Sequence, residues 1–345
     1  MKAVFLPGGS TVSIRSVPTP VPGHGQVLLR MRASTICGSD LRAIYREHLG
    51  EGPEAYQDVI AGHEPCGEVV ELGAGVRQAQ VGDRCVVYHI SGCGLCDDCR
   101  AGYQISCTGP QRRAYGWQRD GGHAEYILAD ERDLVGLPDE LTFVDGACVA
   151  CGFGTAYEAL LRADISGRDD LVITGLGPVG LALGLLARAM GAPKIVGLDP
   201  VTPRRENAIA LGAVTDIVDS TDPNAADHVR DLLGRDGARA CVDASGAGTA
   251  QKLALQLTAR WGRCVLVGEN GQFSIDASPE LIHRNVQLIG SWVTSTVHMA
   301  ELLEHLVRWG LHPSVVVSHE FPIDQAAEAY QVADAGRDGK VAIVQ

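Results

Sequence analysis

The chain has 345 residues, an ordinary globular balance of 46% hydrophobic and 21% charged residues, and a net charge of −13. This length suggests about two domains, each able to build a core. An acidic chain repels phosphate groups, which disfavours nucleic acid and anionic membranes as main partners. The start of the chain has no signal-peptide pattern, and glycines and a proline interrupt its longest apolar stretch, residues 171–190. We therefore expect a cytoplasmic protein.

Residues 1–148 are predicted to form a β-rich domain. Short runs at 27–32, 67–72, 84–89 and 124–128 hold Val, Ile and Tyr between glycine and proline turns. Residues 93–107 interrupt this pattern as a polar, cysteine-dense segment with too little apolar content to fold alone. The segment therefore needs another source of stability.

Residues 149–290 change to alternating strands and helices, and this order predicts an α/β domain with a parallel, doubly wound sheet. The expected strands are 170–173, 194–199, 215–218, 240–244, 263–268 and 285–290. The expected helices are 155–162, 181–190, 203–211, 225–233 and 249–257. The final segment, 291–345, is predicted to hold one helix at 299–309 and a closing strand at 341–344.

A glycine-rich motif, Gly175-Leu-Gly-Pro-Val-Gly180, follows a predicted strand and opens a predicted helix. In that context it favours a dinucleotide site, with the pyrophosphate at the helix N-terminus. Asp199 ends the next strand, where a carboxylate accepts a ribose hydroxyl and repels a 2′-phosphate, so NAD is favoured over NADP. Arg204 and Arg205 weaken this preference, and a plain glycine turn is the alternative. The predicted cofactor-binding positions are Gly175, Gly177, Pro178, Val179, Gly180, Asp199 and Arg204.

Four cysteines in the polar segment have the spacing of a metal site: Cys93, Cys96, Cys99 and Cys107. Four thiolates at such intervals suit a closed tetrahedral zinc site, and the metal would stabilise a loop without its own core. An iron–sulfur cluster is the alternative, whereas a DNA-binding finger is disfavoured by the acidic chain. We take four other cysteines, which lack partners at metal spacing, as core residues: Cys66, Cys85, Cys241 and Cys264.

Together with the cysteine segment and the glycine motif, two further motifs carry a family resemblance. Cys37-Gly-Ser-Asp40 and Gly62-His-Glu64 precede them in the order seen in zinc-containing medium-chain alcohol dehydrogenases, which include polyol and threonine dehydrogenases. The chain resembles this family over essentially its whole length. The resemblance implies a GroES-like β domain, completed by residues 291–345, and a Rossmann domain at 149–290. It also implies an alcohol or carbonyl substrate and a dimer or tetramer.

By that resemblance, Cys37, His63 and Cys151 would bind a catalytic zinc ion, a Cys₂His set that leaves one position open. Glu64 matches a family glutamate that lies near the metal and can ligate it. Cys148 is a nearby rival for Cys151. Polyol dehydrogenases often have glutamate at the position of Cys151, so this cysteine resembles the simple-alcohol branch.

The resemblance also suggests a proton relay. Asp40 would orient the zinc-binding histidine, and Ser39 would take the proton of the substrate hydroxyl. Several relatives have a histidine at the position of Arg42, and a guanidinium is a poor proton carrier. His48 is the candidate substitute for the relay exit.

Candidate walls of the substrate pocket are His89, Tyr45, Trp117 and Trp292. With Ser39, His89 suits a polar substrate such as a polyol or hydroxy acid, whereas Cys151 favours a simple alcohol. Two other functions stay open: a zinc-free quinone or enone reductase of the same superfamily, and a non-catalytic zinc- or nucleotide-binding protein. Both metal motifs argue against the reductase, which usually lacks them.

Overall fold

The structure is a computed structural model, and it describes residues 1–337 and 339–345, apart from the side chain of Pro53. The strands, in chain order, are β1 (Lys2–Gly8), β2 (Thr11–Ser16), β3 (Gln26–Thr35), β4 (Pro65–Leu72), β5 (Arg84–Val87), β6 (Ile90–Ser91), β7 (Arg113–Ala114), β8 (Tyr126–Asp130), β9 (Leu134–Gly136), β10 (Leu171–Thr174), β11 (Ile195–Asp199), β12 (Asp216–Asp219), β13 (Ala238–Asp243), β14 (Thr258–Leu266), β15 (Gln287–Gly290), β16 (Val317–Pro322) and β17 (Lys340–Val344).

The α-helices, in chain order, are α1 (Gly38–Asp40), α2 (Asp97–Arg100), α3 (Phe143–Cys148), α4 (Gly154–Arg162), α5 (Pro178–Ala189), α6 (Thr202–Ala210), α7 (Ala225–Leu233), α8 (Gly248–Leu257), α9 (Ala277–Glu280), α10 (Thr296–Trp309) and α11 (Ala326–Ala335). Two π-helical turns follow α1 and α3, at Leu41–Tyr45 and Val149–Phe153. Short 3₁₀ turns lie at Gly52–Glu54, Gln104–Ser106, Glu131–Asp133, Ile282–Arg284, Pro313–Val316 and Ile323–Gln325.

The chain divides into two compact units. The first unit is Met1–Gly154 with Thr294–Gln345, and the second unit is Thr155–Val293. The first unit is built on a seven-stranded sheet in the order β16-β17-β3-β4-β5-β9, with β8 paired to β3. The last strand, β17, runs antiparallel to β3. The C-terminal segment is therefore an integral part of the β-rich unit.

The second unit holds a six-stranded parallel sheet in the order β12-β11-β10-β13-β14-β15. This order is the doubly wound 3-2-1-4-5-6 arrangement, whose switch point lies between the first and fourth strands. Here these strands are β10 and β13, so a ligand is expected at their carboxyl ends. The predicted α/β class with a doubly wound parallel sheet is confirmed.

The prediction of a single helix after residue 290 is wrong, because α11 follows α10. The buried residues of α11 include Ala326, Ala329 and Tyr330 at helical spacing. Two of the three are alanines, whose small side chains give a weak periodic signal. The four cysteines expected in the core are all buried, which confirms that prediction: Cys66, Cys85, Cys241 and Cys264. Among the described residues, no helix is both long enough and apolar enough to cross a membrane.

A buried carboxyl group in the first unit, that of Asp133, leads us to predict how stability depends on pH. Asp133 is fully buried, and its Oδ2 accepts a 2.8 Å hydrogen bond from Tyr115, while Oδ1 has no partner among the described residues. Burial raises the pKa of Asp133 from 3.8 to about 7. The folded chain thus holds a proton that the unfolded chain releases, so this group's contribution to stability falls as pH rises from 3.8 through about 7.

We therefore expect Asp133→Asn to raise the free energy of unfolding at pH 8.5 by about 2 kcal/mol, and by less at pH 6. An asparagine oxygen can still accept the Tyr115 hydroxyl. Urea unfolding at both pH values measures the change, with Asp139→Asn as control because the Asp139 side chain is 97% exposed. Equal changes at the two pH values would show that burial does not raise this pKa.

Candidate catalytic metal centre and nucleotide site

Three separate segments of the first unit bring four potential metal ligands together: Cys37, His63, Glu64 and Cys151. Their ligand atoms all lie within 4.8 Å of one another. Cys37 precedes α1, and His63 and Glu64 precede β4. Cys151 lies in the π-helical turn after α3. Both cysteines are partly exposed, as a site with one open position requires. The donor set and its spacing fit a zinc ion of the catalytic type.

Asp40 fixes the orientation of His63, the histidine among the potential ligands. Its Oδ1 lies 2.7 Å from Nδ1 of His63, and its Oδ2 accepts a 3.0 Å hydrogen bond from the backbone N–H of Cys37. The carboxylate is fully buried. Burial lowers the pKa of His63, but the adjacent Asp40 charge outweighs it, so the net shift is upward. This contact leaves Nε2 as the nitrogen free for a metal, the arrangement that ligating histidines generally use.

A buried ion pair supports Glu64 from the other end of the chain. Lys340 Nζ lies 2.7 Å from Oε2 and 2.9 Å from Oε1 of Glu64, and Thr35 also donates to this carboxylate. Burial raises the pKa of Glu64 to about 7. Burial lowers the pKa of Lys340, but the carboxylate more than offsets this, so the net shift is upward. The sequence interpretation missed Lys340; the available signal was a single lysine opening an apolar final strand.

His89 lies beside the candidate metal centre, and its hydrogen bond defines its tautomer. Its ring centroid is 5.3 Å from that of His63, and its Nδ1 lies 2.9 Å from the carbonyl oxygen of Ala150. A carbonyl only accepts, so Nδ1 carries the proton. Burial lowers the pKa of His89 to about 4. The ring is therefore neutral at physiological pH, and its Nε2 can accept a hydrogen bond.

The two candidates for the proton relay, Ser39 and His48, are not joined to each other as the potential metal ligands are. Ser39 is half-buried in α1, between Cys37 and Asp40. His48 is exposed, with Nε2 2.7 Å from the Leu6 carbonyl oxygen and its ring edge-on to Tyr56. Within the described part of the chain, no hydrogen bond links His48 to Ser39.

The aromatic pocket candidates take up different environments. Tyr45 is buried in the core, with its ring centroid 5.1 Å from that of Tyr330. Trp117 is half-buried and donates from Nε1 to the Glu54 carbonyl. Trp292 belongs to the second unit and is 54% exposed. Of the four pocket candidates, the structure places His89 next to the ligand set.

The cysteine-rich segment forms a second cluster of ligand atoms within 4.8 Å of one another: Cys93, Cys96, Cys99 and Cys107. The backbone N–H groups of Leu95 and Cys96 each lie 3.4 Å from Cys93 Sγ, and that of Gly109 lies 3.3 Å from Cys107 Sγ. The two bonds to Cys93 lower its pKa to about 6. Backbone donors aimed at sulfur stabilise thiolates, so the segment fits a closed Cys₄ zinc site.

The glycine motif connects β10 to α5 in the second unit. Gly175 has φ +93°, and a Cβ on Gly180 would lie 1.9 Å from the Gly175 carbonyl oxygen, so the fold itself requires both glycines. Gly177 is the N-cap of α5, and a Cβ there would meet nothing within 4 Å. The open space at Gly177, followed by Pro178 and Val179 at the N-terminus of α5, suits a phosphate group.

Asp199 ends β11 and joins two loops of the nucleotide site. Its Oδ2 accepts a 2.8 Å bond from the Leu176 N–H, and its Oδ1 accepts a 2.8 Å bond from the Val201 N–H. Arg204 Nη1 lies 3.8 Å from Oδ2. Each carboxylate oxygen has a second lone pair, the kind of acceptor that a ribose hydroxyl needs. The neighbouring Arg205 donates to the Asp199 carbonyl.

Gly177→Ala is expected to fold normally but to weaken NADH binding about tenfold or more, or about 1.4 kcal/mol. The added methyl meets open space in the free protein but occupies the path of the pyrophosphate. NADH fluorescence titration measures the affinity. Gly136→Ala is the control, because a Cβ there also meets nothing within 4 Å. If the two variants bind NADH equally, the phosphate does not approach Gly177.

Comparison with known proteins agrees with this geometry. Residues 23–139 match the family model of the alcohol dehydrogenase GroES-like domain, and residues 178–308 match that of the zinc-binding dehydrogenases. The chain is 46% identical to the uncharacterized zinc-type alcohol dehydrogenase-like protein YphC of Escherichia coli, over 99% of this chain and 98% of the relative.

More distant relatives have named substrates. An L-threonine 3-dehydrogenase of Shewanella baltica is 30% identical over 94% of this chain and 93% of its own. A sorbitol dehydrogenase of Bombyx mori is 30% identical over 99% of this chain and 97% of its own. The solved alcohol dehydrogenase TADH from Thermus sp. ATN1 superposes with a TM-score of 0.90 at 27% identity, covering 100% of this chain and 99% of that one. The chain therefore belongs to the zinc-containing medium-chain alcohol dehydrogenase family and is an oxidoreductase.

Proposed function

We propose that the protein oxidises a polar secondary alcohol with NAD, using one catalytic and one structural zinc ion per chain. The observation that carries the proposal is the convergence of Cys37, His63, Glu64 and Cys151 from three segments, with ligand atoms within 4.8 Å of one another. The four-cysteine cluster would hold the structural ion. We assign the first unit, Met1–Gly154 with Thr294–Gln345, to the catalytic domain and the second unit, Thr155–Val293, to the NAD-binding domain.

Zinc bound by Cys37, His63 and Cys151 would supply Lewis acidity that lowers the pKa of an alcohol hydroxyl. NAD would supply the hydride acceptor. The chain's own part is to place and move protons. Asp40 holds the proton on Nδ1 of His63 and so keeps Nε2 available. Ser39 takes the hydroxyl proton from the substrate.

We propose His48 as the exit of this proton to solvent, since a guanidinium such as that of Arg42 is a poor proton carrier. Lys340 holds the Glu64 carboxylate through both oxygens, which keeps it beside the metal position and available as a further ligand. Asp199 would accept a hydrogen bond from a hydroxyl group of the adenosine ribose, and its charge supports NAD over NADP.

His89 supports a polar substrate. Its neutral ring offers an acceptor nitrogen beside the ligand set, and such an acceptor is satisfied by a second hydroxyl or an ammonium group. A purely apolar alcohol would displace water from this acceptor without replacing its hydrogen bond, which costs binding energy. Threonine and sorbitol, after which two of the relatives are named, carry such groups. We therefore propose polyols and 3-hydroxy amino acids ahead of simple alcohols.

A cofactor-reduction screen with metal analysis tests the proposal. The purified chain is assayed with NAD and NADP against simple secondary alcohols, polyols, sugars and 3-hydroxy amino acids. We expect two zinc ions per chain and reduction of NAD by a polar alcohol. Zinc without turnover of any alcohol would favour a binding protein, and absence of zinc would favour a quinone or enone reductase. We further propose a cytoplasmic homo-oligomer, a tetramer or a dimer, which light scattering measures.

A further inference from the structure

We propose that His123 and Tyr330 are positioning residues for the catalytic metal centre. Together they fix the backbone of residues 60–62 and thereby the directions of His63 and Glu64. Neither residue belongs to the ligand set, and both are fully buried in the first unit. The inference rests on the proposed function, because it takes the Cys37, His63 and Cys151 set to hold zinc.

The ring of His123 lies directly on the backbone that leads into the ligands. A Cβ built on Gly62 would be 2.4 Å from Cδ2 of His123, so the ring occupies the space a side chain would need. Gly62 also has φ +91°, a conformation that other residues rarely adopt. The ring therefore packs against the residue immediately before His63.

Backbone hydrogen bonds join the same two segments. The N–H groups of Gly121, Gly122 and His123 donate to the carbonyls of Ile60, Gly62 and Ala61 at 2.8, 2.7 and 2.9 Å. Residues 121–123 thus pair with residues 60–62 through backbone hydrogen bonds. A displacement of the His123 ring would therefore shift the segment that immediately precedes His63 and Glu64.

Tyr330 holds the ring in place from the C-terminal segment. Its hydroxyl lies 3.1 Å from Nδ1 of His123, and the two rings meet edge-on at a centroid distance of 5.7 Å. Burial lowers the pKa of His123 to about 4, so this bond joins two neutral groups at physiological pH. The Thr35 backbone also lies close enough to His123 to raise its pKa slightly. The Tyr330 hydroxyl is the side-chain contact that holds the rotation of the ring.

The C-terminal segment thus reaches both residues of the His63–Glu64 pair. Tyr330, on α11, acts on His63 through His123, whereas Lys340, at the start of β17, binds Glu64 directly. A role limited to core stability would weaken the whole unit without singling out the metal. A positioning role predicts a selective effect on the catalytic zinc ion.

The test measures zinc release from the holoenzyme to a chromophoric chelator. Cys37→Ser and Cys96→Ser identify the release phases of the catalytic and structural ions, since each variant lacks one phase. We expect Tyr330→Phe to speed the catalytic phase about tenfold, as loss of a group supporting a ligating histidine does. The structural phase should not change.

Tyr115→Phe is the matched control. It also removes a fully buried tyrosine hydroxyl in the same unit, but that hydroxyl bonds to Asp133 and to the Asp130 N–H and not to residues 60–64. Urea unfolding of both variants compares their losses of stability. We expect Tyr115→Phe to lose at least as much stability, with faster catalytic zinc release in Tyr330→Phe alone.

His123→Phe is the second variant, used also if Tyr330→Phe does not fold. It keeps an aromatic ring over Gly62 and removes the ring nitrogen that contacts the Tyr330 hydroxyl, so the same selective release is expected. The proposal is overturned if the catalytic phase is unchanged, or if Tyr115→Phe speeds it equally. If the wild-type protein releases zinc in a single phase that Cys37→Ser leaves unchanged, the proposed function is overturned instead.

Discussion

Replacing Cys151 by serine is expected to remove one of the two proposed zinc ions per chain and to lower kcat/KM for alcohol oxidation about a thousandfold or more. Cys151 would supply one of the two thiolates in the proposed ligand set, and a serine hydroxyl is a poor substitute for a thiolate on zinc. A bound metal stabilises developing negative charge by several kcal/mol, and about 4 kcal/mol corresponds to a thousandfold in rate.

The matched control is Cys148→Ser, three residues earlier in the chain. Cys148 is fully buried in α3 and lies outside the ligand set, although the sequence left it as a rival. We expect it to keep both zinc ions and most of the activity, at some loss of stability from burying a hydroxyl. Metal analysis and steady-state kinetics on both variants decide the ligand. Loss of zinc from Cys148→Ser, with Cys151→Ser unaffected, would reverse the assignment.

The sequence predicts a site well when its residues lie close together along the chain, and poorly when they do not. The four cysteines of the structural cluster lie within residues 93–107, so their spacing predicts the site without any knowledge of the fold. The glycine motif is similarly local, because one turn and one helix start hold all three glycines. Most strands and helices of the second unit were also predicted, since each is a short segment with its own periodic pattern.

The catalytic set is different, because Cys37, His63 and Cys151 come from separate segments that only the fold brings together. Their order supported a family resemblance, but no spacing rule joins them. Lys340 was missed entirely: it is 276 residues from Glu64 and is placed beside it by the pairing of β17 with β3. Long-range pairing of this kind leaves no mark in local periodicity.

The Lys340–Glu64 pair yields the second large effect. Lys340→Met is expected to lower the free energy of unfolding by about 3–5 kcal/mol, because it leaves a buried carboxylate without its cation. Both side chains are at most 3% exposed, and Lys340 also lies 3.4 Å from the Ile36 carbonyl. Urea unfolding at fixed excess zinc measures the change. Lys2→Met is the control: Lys2 pairs with Asp324 at 2.7 Å on the surface and should change stability little.

A double-mutant cycle separates the ion pair from the packing of the lysine chain. The double variant Glu64→Gln with Lys340→Met buries no charge at this position, so it should recover most of the stability lost in Lys340→Met. Because Glu64 belongs to the ligand set, zinc content and kcat/KM are measured on the same variants. If Lys340 also keeps Glu64 in place for the metal, the double variant regains stability but not zinc affinity. Losses that simply add in the double variant would mean that the two side chains stabilise the fold independently, and that the C-terminal strand does not support the metal centre through this pair.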